Sequence, residues 1–367
     1  MSTEALVALA DRVGPVLVFL VAITVVAEIA DRAGVFDVAA HWCAQLARQR
    51  TWLLWLLVAL LASLSTIVLS LDTTAVLLTP VVITVARQVR VSPVPFVLTT
   101  LWLANTASLL LPVSNLTNLL SLHRFRALGA GYSAYLSLLA GPALAAILAT
   151  VVVLLLWHGR QLRGGYPTMP RPEPHDRVLL VVAGATCAVL GPVFATGVIP
   201  AVPASLAAVL LIATCALRAP QHLRALQVPW AVVFGVAALF VVVDLAGQHG
   251  LSAAVAAAAG HGTGVGDLLR LAAVAAAASN VVNNLPAYLA IEPVADGDPV
   301  RLAALLIGTN CGPLVTAWGS LATILWRQRC RSAGMRIGLG RLAVQGLTCA
   351  VATVVVSVLV LAWLNPS

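Results

Sequence analysis

Asp72 is the only acid in a set of hydroxyls and carboxamides that interrupts otherwise lipid-compatible sequence. In the first half the set holds Ser70, Thr73, Asn105, Ser108, Ser114, Asn115 and Asn118; in the second it holds Ser279, Asn280, Asn283, Asn284, Asn310, Thr316, Gly319, Ser320 and Thr323. Carboxamides and hydroxyls both donate and accept hydrogen bonds, which suits a small, neutral, polyol-like solute. No arginine lies among them, so an anion would need an accompanying cation. A carboxyl at bilayer depth costs roughly 2.5–3.5 kcal/mol and marks function by default. Burial penalises its charged form, so Asp72 is the candidate proton-coupling residue. A neutral solute feels no membrane potential; one accompanying proton supplies about 2.3 kcal/mol per 100 mV, roughly a fiftyfold gradient.

These residues sit in a chain that is 61% hydrophobic and 9% charged, with a mean hydropathy of +1.01. The bilayer is therefore its solvent, and the net charge of +8 reports loop asymmetry rather than nucleic-acid binding. Apolar stretches long enough to cross fall near 13–30, 95–122, 133–157, 178–198, 203–217, 230–247, 300–326 and 342–364. Two more, 52–88 and 267–293, break at a polar centre. Arg48 and Arg50 flank the start of 52–88, and Arg87 and Arg90 flank its end. Both ends then lie in the cytoplasm, and the segment is a re-entrant hairpin. The counterpart 267–293 enters from outside. Threading the other spans leaves 16 of the 21 arginines inside; Arg12, Arg124, Arg126, Arg270 and Arg301 fall outside.

The halves match: Glu28 with Asp244, Asp72 with Asn284 and Asn105 with Asn310, at offsets of 216, 212 and 205. Each half reads as span, amphipathic arm, hairpin, broken helix, span. The expected fold is an all-α polytopic membrane protein of about eight full spans plus two hairpins, built as two inverted repeats. The first repeat covers 1–157, a cytoplasmic linker 158–177, two scaffold spans 178–229 and the second repeat 230–367. Nothing precedes the first repeat to match those two scaffold spans, so an N-terminal helix pair reads as missing. Glu4 and Asp11, rather than a basic cluster, precede the first span, which reads as retained. Lipid forbids unpaired backbone unless it is buried or lines a cavity, and matched breaks in two halves point to a transporter binding site.

Asp72 to Pro80 (DTTAVLLTP), Asn105 to Asn118 (NTASLLLPVSNLTN), Asn280 to Pro286 (NVVNNLP) and Ile307 to Trp326 (IGTNCGPLVTAWGSLATILW) give the chain a specific likeness. It resembles the bacterial arsenite efflux permeases, within the ion transporter superfamily that also holds the sodium–dicarboxylate symporters. Softer similarity lies in 27–40 and 229–251. The chain departs from the family pattern at Asn105 and Asn310, where the family carries Asp, and at Leu314, where it carries Lys. It departs also at Leu71 (Asn) and Ala317-Trp318 (Pro-Ile). The resemblance implies export of arsenite, As(OH)3, with antimonite as a second candidate, from a multi-pass position in the bacterial inner membrane. It implies an elevator-type movement, a homodimer, and room for a cytoplasmic arsenical-pump ATPase, while proton antiport is the expectation from Asp72 and the energetics of a neutral solute. The competing expectation is a sodium- or proton-coupled carrier of a small carboxylate or other anion.

Other residues carry weaker signals. Cys311 invites arsenic–thiolate ligation, although a single buried thiol is more often core. The six cysteines show no disulfide or metal spacing, and no cofactor beyond coupled H+ or Na+ is expected. The glycine-rich run 260–266 lacks the Lys-Ser/Thr of a phosphate loop and reads as a flexible connection. No nucleophile–base set falls on the spans, so an enzyme is not expected.

Overall fold

The computed structural model describes residues 3–168, 176–223, 226, 230, 234–235, 238–239, 242, 252–295 and 297–365, with side chains described from residue 14 onward except at 252–254. Stretch 230–247, Asp244, Arg171, Arg224 and Asp296 fall largely or wholly outside these residues. Among them the chain is helical throughout. It begins with α1 (Thr3–Arg32) and the arm α2 (Val35–Leu46), which a left-handed Gly34 (φ 83) separates. Then follow α3 (Thr51–Leu69), α4 (Leu71–Thr73), a π turn (Thr74–Leu78), α5 (Thr79–Gln88) and α6 (Val94–Thr106). Short 3-10 turns, Ala107–Leu109 and Pro112–Ser114, lead to α7 (Leu116–Ala127). The long α8 (Gly131–His158), α9 (Arg177–Ala195) and α10 (Ala201–Arg218) come next. The second half gives α11 (Ser252–Ala259), α12 (Val265–Val282), α13 (Asn284–Ala295), α14 (Pro299–Cys311), α15 (Leu321–Ser332) and α16 (Leu339–Leu364).

Seven of these helices are long and apolar enough to cross a membrane, among them α3 and α12, the first arms of the two expected hairpins. The stretches 95–122 and 300–326 each split in two, so neither forms a continuous span. Both are broken where the polar residues and prolines fall. Their second pieces, α7 and α15, run several residues beyond the apolar stretch and carry Arg124, Arg126, Arg329 and Arg331 in their last turns.

Reversal after α3 and after α12 happens in the same way. Ser70 (φ 113, ψ 161) and Asn283 (φ 97, ψ 153) both adopt a conformation that is essentially glycine's own. Each stores about 1–3 kcal/mol of backbone strain. Trp55, near the start of α3, donates its indole N–H to Thr99 Oγ1 at 2.7 Å near the start of α6. Thr79 at the start of α5 lies 3.2 Å from Thr100. A short link then joins α5 to α6, and both α3 and α5 pack against α6.

That end gathers the arginine-rich segments. Arg32 donates to the His222 carbonyl, Arg218 pairs with Asp176 at 2.9 Å, and the Tyr166 amide meets the Gln49 carbonyl. Arg87 reaches the Ala333 carbonyl beyond α15 at 2.6 Å. At the opposite end Arg301, opening α14, holds the Gly260 and Gly262 carbonyls ahead of α12. Arg270 caps α11 through the Ala257 and Ala258 carbonyls. Arg124, awkward outside by sequence, forms a 2.9 Å ion pair there with the buried Glu292, which also accepts from the Tyr288 hydroxyl. The glycine run 260–266, expected to be flexible, is instead clamped by Arg301, and Gly264 caps α12.

Packing partners recur between halves. α6 packs between α3 and α8, as α14 packs between α12 and α16, while α8 and α16 lie against each other. Gly308 and Gly312 let α14 approach α12 closely: a methyl on Gly308 would strike the Ala272 carbonyl and lie 2.6 Å from the Ala275 methyl.

Candidate transport site

Four helices begin around one cavity of about 390 Å³, lined by Leu71, Asp72, Asn115, Leu116, Asn283, Asn284, Leu285, Pro286 and Leu321, with Gly235 and Leu239. Leu71, Leu116, Asn284 and Leu321 are the first residues of α4, α7, α13 and α15. Helix starts leave backbone N–H groups without intrahelical partners and carry the positive end of the dipole. The breaks that create these starts are held open by side-chain caps. Ser70 Oγ accepts from the Thr73 amide, Asn115 Oδ1 from the Thr117 amide, and Ser320 Oγ from the Thr323 amide at 3.1 Å. Thr73 and Thr323 also meet their capping hydroxyls, at 3.1 and 2.9 Å.

Asp72 Oδ1 is buried and has no hydrogen-bond partner among the described residues. Among the described residues, no arginine or histidine lines the cavity with it. Behind the cavity wall, Asn310 ties the two broken helices together. Its Oδ1 accepts from Ser108 Oγ at 2.6 Å and from Asn115 Nδ2 at 2.7 Å. Its Nδ2 donates to Asn118 Oδ1 at 2.9 Å and to the Leu306 carbonyl at 2.8 Å. Asn118 Nδ2 in turn donates to the Ser108 carbonyl, closing the turn between α6 and α7. Asn115 therefore belongs to both the cavity wall and this amide node.

Asn280 forms a second node. Its Oδ1 accepts from the amides of Val315 and Thr316, while its Nδ2 reaches the carbonyls of Ala276 and Gly312. Thr316 Oγ1 donates back to the Asn280 carbonyl at 2.9 Å. This latch shapes the loop between α14 and α15, and a side chain at Gly319 would crowd Asn280 Oδ1. Asn283 Nδ2 holds the Trp318 carbonyl, and the Asn284 amide donates to the Gly319 carbonyl, so loop and hairpin tip brace each other.

The seventeen expected residues thus separate by position. Asp72, Asn115, Asn283 and Asn284 line the cavity. Ser108, Asn118 and Asn310 form the amide node, and Asn280, Thr316 and Gly319 form the latch. Ser70 and Ser320 cap helices, and Thr73 and Thr323 supply the amides and hydroxyls that meet those caps. Ser114 stitches its loop to the Ile67 carbonyl at 2.9 Å, and Ser279 bonds within its own helix to Ala275. Asn105 also bonds back within its helix, to the Leu101 carbonyl, and its buried Oδ1 is left without a partner. Cys311 is fully buried and does not line the cavity, so no geometry supports a thiolate ligand there.

Sequence reasoning missed the leucine wall, although Leu71, Leu116 and Leu321 directly follow the breaks at Ser70, Asn115 and Ser320. It also missed the hydroxyl chain from Ser65 through Thr74 to Thr66, with both links at 3.0 Å, under the first hairpin tip. Their eight- and nine-residue spacing across a break carries no periodic signal.

Residues 2–300 match the family model described as CitMHS, citrate transporter. The chain belongs to this family. An arsenical pump membrane protein of Escherichia coli is 27% identical over 356 residues, covering 87% of this chain and 79% of that protein. An uncharacterized transporter of Mycobacterium tuberculosis is 22% identical over 378 residues, covering 95% of this chain and 86% of its own length. The YdaH transporter of Alcanivorax borkumensis superposes with a TM-score of 0.54 over 99% of this chain and 89% of its own, at 16% identity, a likeness of fold. The chain is a multi-pass membrane transport protein, not an enzyme.

Proposed function

We propose that the protein exports arsenite as neutral As(OH)3 across the bacterial inner membrane by proton antiport, with Asp72 as the proton site. The observation that carries this reading is the Asp72 carboxyl at a cavity that no basic side chain lines among the described residues. A neutral trihydroxyl solute accepts hydrogen bonds from the helix-start amides and donates to the Asn115, Asn283 and Asn284 side chains without charge conflict. The similarity to the arsenical pump membrane protein over most of both chains supports the same substrate class, and antimonite, with the same hydroxyl chemistry, belongs to it.

Movement follows from the way the two halves are joined. The hairpin and broken helix of each half form one unit, and Asn310 staples the two units together, so they travel as a body against α1, α8, α9, α10 and α16. This is an elevator built from two inverted repeats, 1–157 and 230–367, with the linker 158–177 and spans 178–229 between them. Both hairpins are re-entrant. Two copies form the working dimer through the scaffold, and the arginine-rich end is where an arsenical-pump ATPase would dock.

A second reading is a proton- or sodium-coupled carrier of a small carboxylate. Four convergent helix starts favour an anion, and the family description names citrate. Asp72 disfavours it unless a proton or cation enters too. Everted vesicles separate the readings. Arsenite uptake driven by a pH gradient, unaffected by sodium and by excess citrate, supports export of As(OH)3. Citrate uptake without arsenite uptake refutes it.

A further inference from the structure

A separate cavity of about 590 Å³ opens at the arginine-rich end, where α15 gives way to α16. Arg327, Arg331 and Arg336 line it together with Trp326, Met335 and Leu339, and among the described residues no carboxylate lines it. Arg327 and Arg331 stand one turn apart on the same face of α15, where like charges repel. The helix then stops in a tight C-cap. Gly334 is left-handed (φ 72), its amide bonds the Arg331 carbonyl at 2.9 Å, and the Met335 amide bonds the Cys330 carbonyl at 2.8 Å. That turn folds Arg336 back over the same hollow, and Arg87 fixes it by donating to the Ala333 carbonyl.

The hollow is therefore preformed and two-sided. Guanidinium groups line one part, while Trp326, Met335 and Leu339 line the rest, and Leu339 is 54% exposed at the start of the membrane-crossing α16. Arginine forks match phosphate oxygens, and anionic lipids gather at the basic side of membrane proteins. We propose that this cavity binds the phosphate headgroup of an anionic phospholipid, with an acyl chain running along Leu339 and α16. The apolar wall favours a lipid over a free phosphate ion. The lipid would bridge α15, in the proposed moving unit, and α16, in the scaffold, which only the link 333–338 joins covalently.

Thermal unfolding of the full chain in neutral detergent tests this, read by the reactivity of its buried thiols. Three additives are compared: dioleoylphosphatidylglycerol, dioleoylphosphatidylcholine and inorganic phosphate. Three proteins are compared: the unaltered chain, R327Q/R331Q/R336Q, and R160Q/R163Q as a control that removes charge elsewhere on the same end. Phosphatidylglycerol should raise the midpoint of the unaltered chain and the control, and the other two additives should not. The triple variant should need far more lipid for the same shift, about fivefold per arginine. An equal response in the triple variant overturns the proposal, as does phosphatidylcholine matching phosphatidylglycerol, or phosphate alone reproducing the shift. Should the triple variant not fold, Arg336→Gln alone, on the exposed link, replaces it. Retention of phosphatidylglycerol by native mass spectrometry is then the readout, and unchanged retention counts against the site.

Discussion

Replacing Asn310 by alanine removes a side chain of one broken helix that bonds three side chains of the other. It breaks the contacts to Ser108 Oγ, Asn115 Nδ2 and Asn118 Oδ1, at 2.6, 2.7 and 2.9 Å, all in the buried interior. The Ser108 hydroxyl keeps an alternative acceptor in the Asn105 carbonyl at 2.6 Å. Asn115 Nδ2 and Asn118 Oδ1 lose their best partners, and a buried polar group left unsatisfied costs about 1–3 kcal/mol. The expected destabilisation is therefore about 2–4 kcal/mol. At about 2 °C per kcal/mol, the unfolding midpoint should fall by roughly 4–8 °C. Cys311, Cys330 and Cys349 are buried, so a thiol-reactive dye reports the transition. A cycle with Asn115→Ala and the double variant should give a coupling near 1 kcal/mol, because the pair shares one hydrogen bond. A midpoint shift under about 1 °C, or strict additivity, would refute the view that Asn310 joins the two units. Arsenite export should fall further than stability alone accounts for, since loosened units no longer travel together.

Three other outcomes follow from the same geometry. Asp72→Asn should abolish export driven by a pH gradient while leaving the fold intact, because the amide replaces an atom that already lacks a partner; undiminished proton-driven arsenite transport in vesicles would remove its coupling role. Ser70→Gly should stabilise by about 1 kcal/mol through relief of strain at φ 113, with only a few tenths lost from the cap, whereas Ser70→Ala should destabilise; thermal midpoints ranked Gly above Ser above Ala are the check. Asp176, in the linker, is held below the usual carboxylate range by the Leu179 amide first, and then by Arg218 and the Val178 amide. A depressed folded value contributes stability at neutral pH that is lost as pH falls below about 4, so Asp176→Asn should flatten the acid limb of the stability curve.

The element order and the place of each break were legible in the sequence. Helix interiors in lipid are nearly uniform apolar runs, so a Ser, Asn or Pro inside one is a loud signal. The lengths of α7 and α15 were not, because their last turns carry arginines that hydropathy assigns to loops; local carbonyls and the C-caps at Gly129 and Gly334 extend the helices regardless. Arg124 shows the limit of charge counting. A basic residue at the far end of a span was a liability by that rule, and only the fold brings Glu292 to it from a helix 168 residues away.

The candidate site divides in the same way. Residue types alone gave the expectation that polar groups from both halves gather at the helix breaks, since freed backbone in hydrocarbon must be buried or line a cavity. Which of them face the cavity was decided by tertiary structure. Asn105 and Asn310 look equivalent in the repeat, yet Asn105 bonds only its own helix while Asn310 spans both halves. A carboxamide is satisfied equally well by a neighbouring turn or by a distant chain, and only the packing of α6, α7 and α14 selects between them.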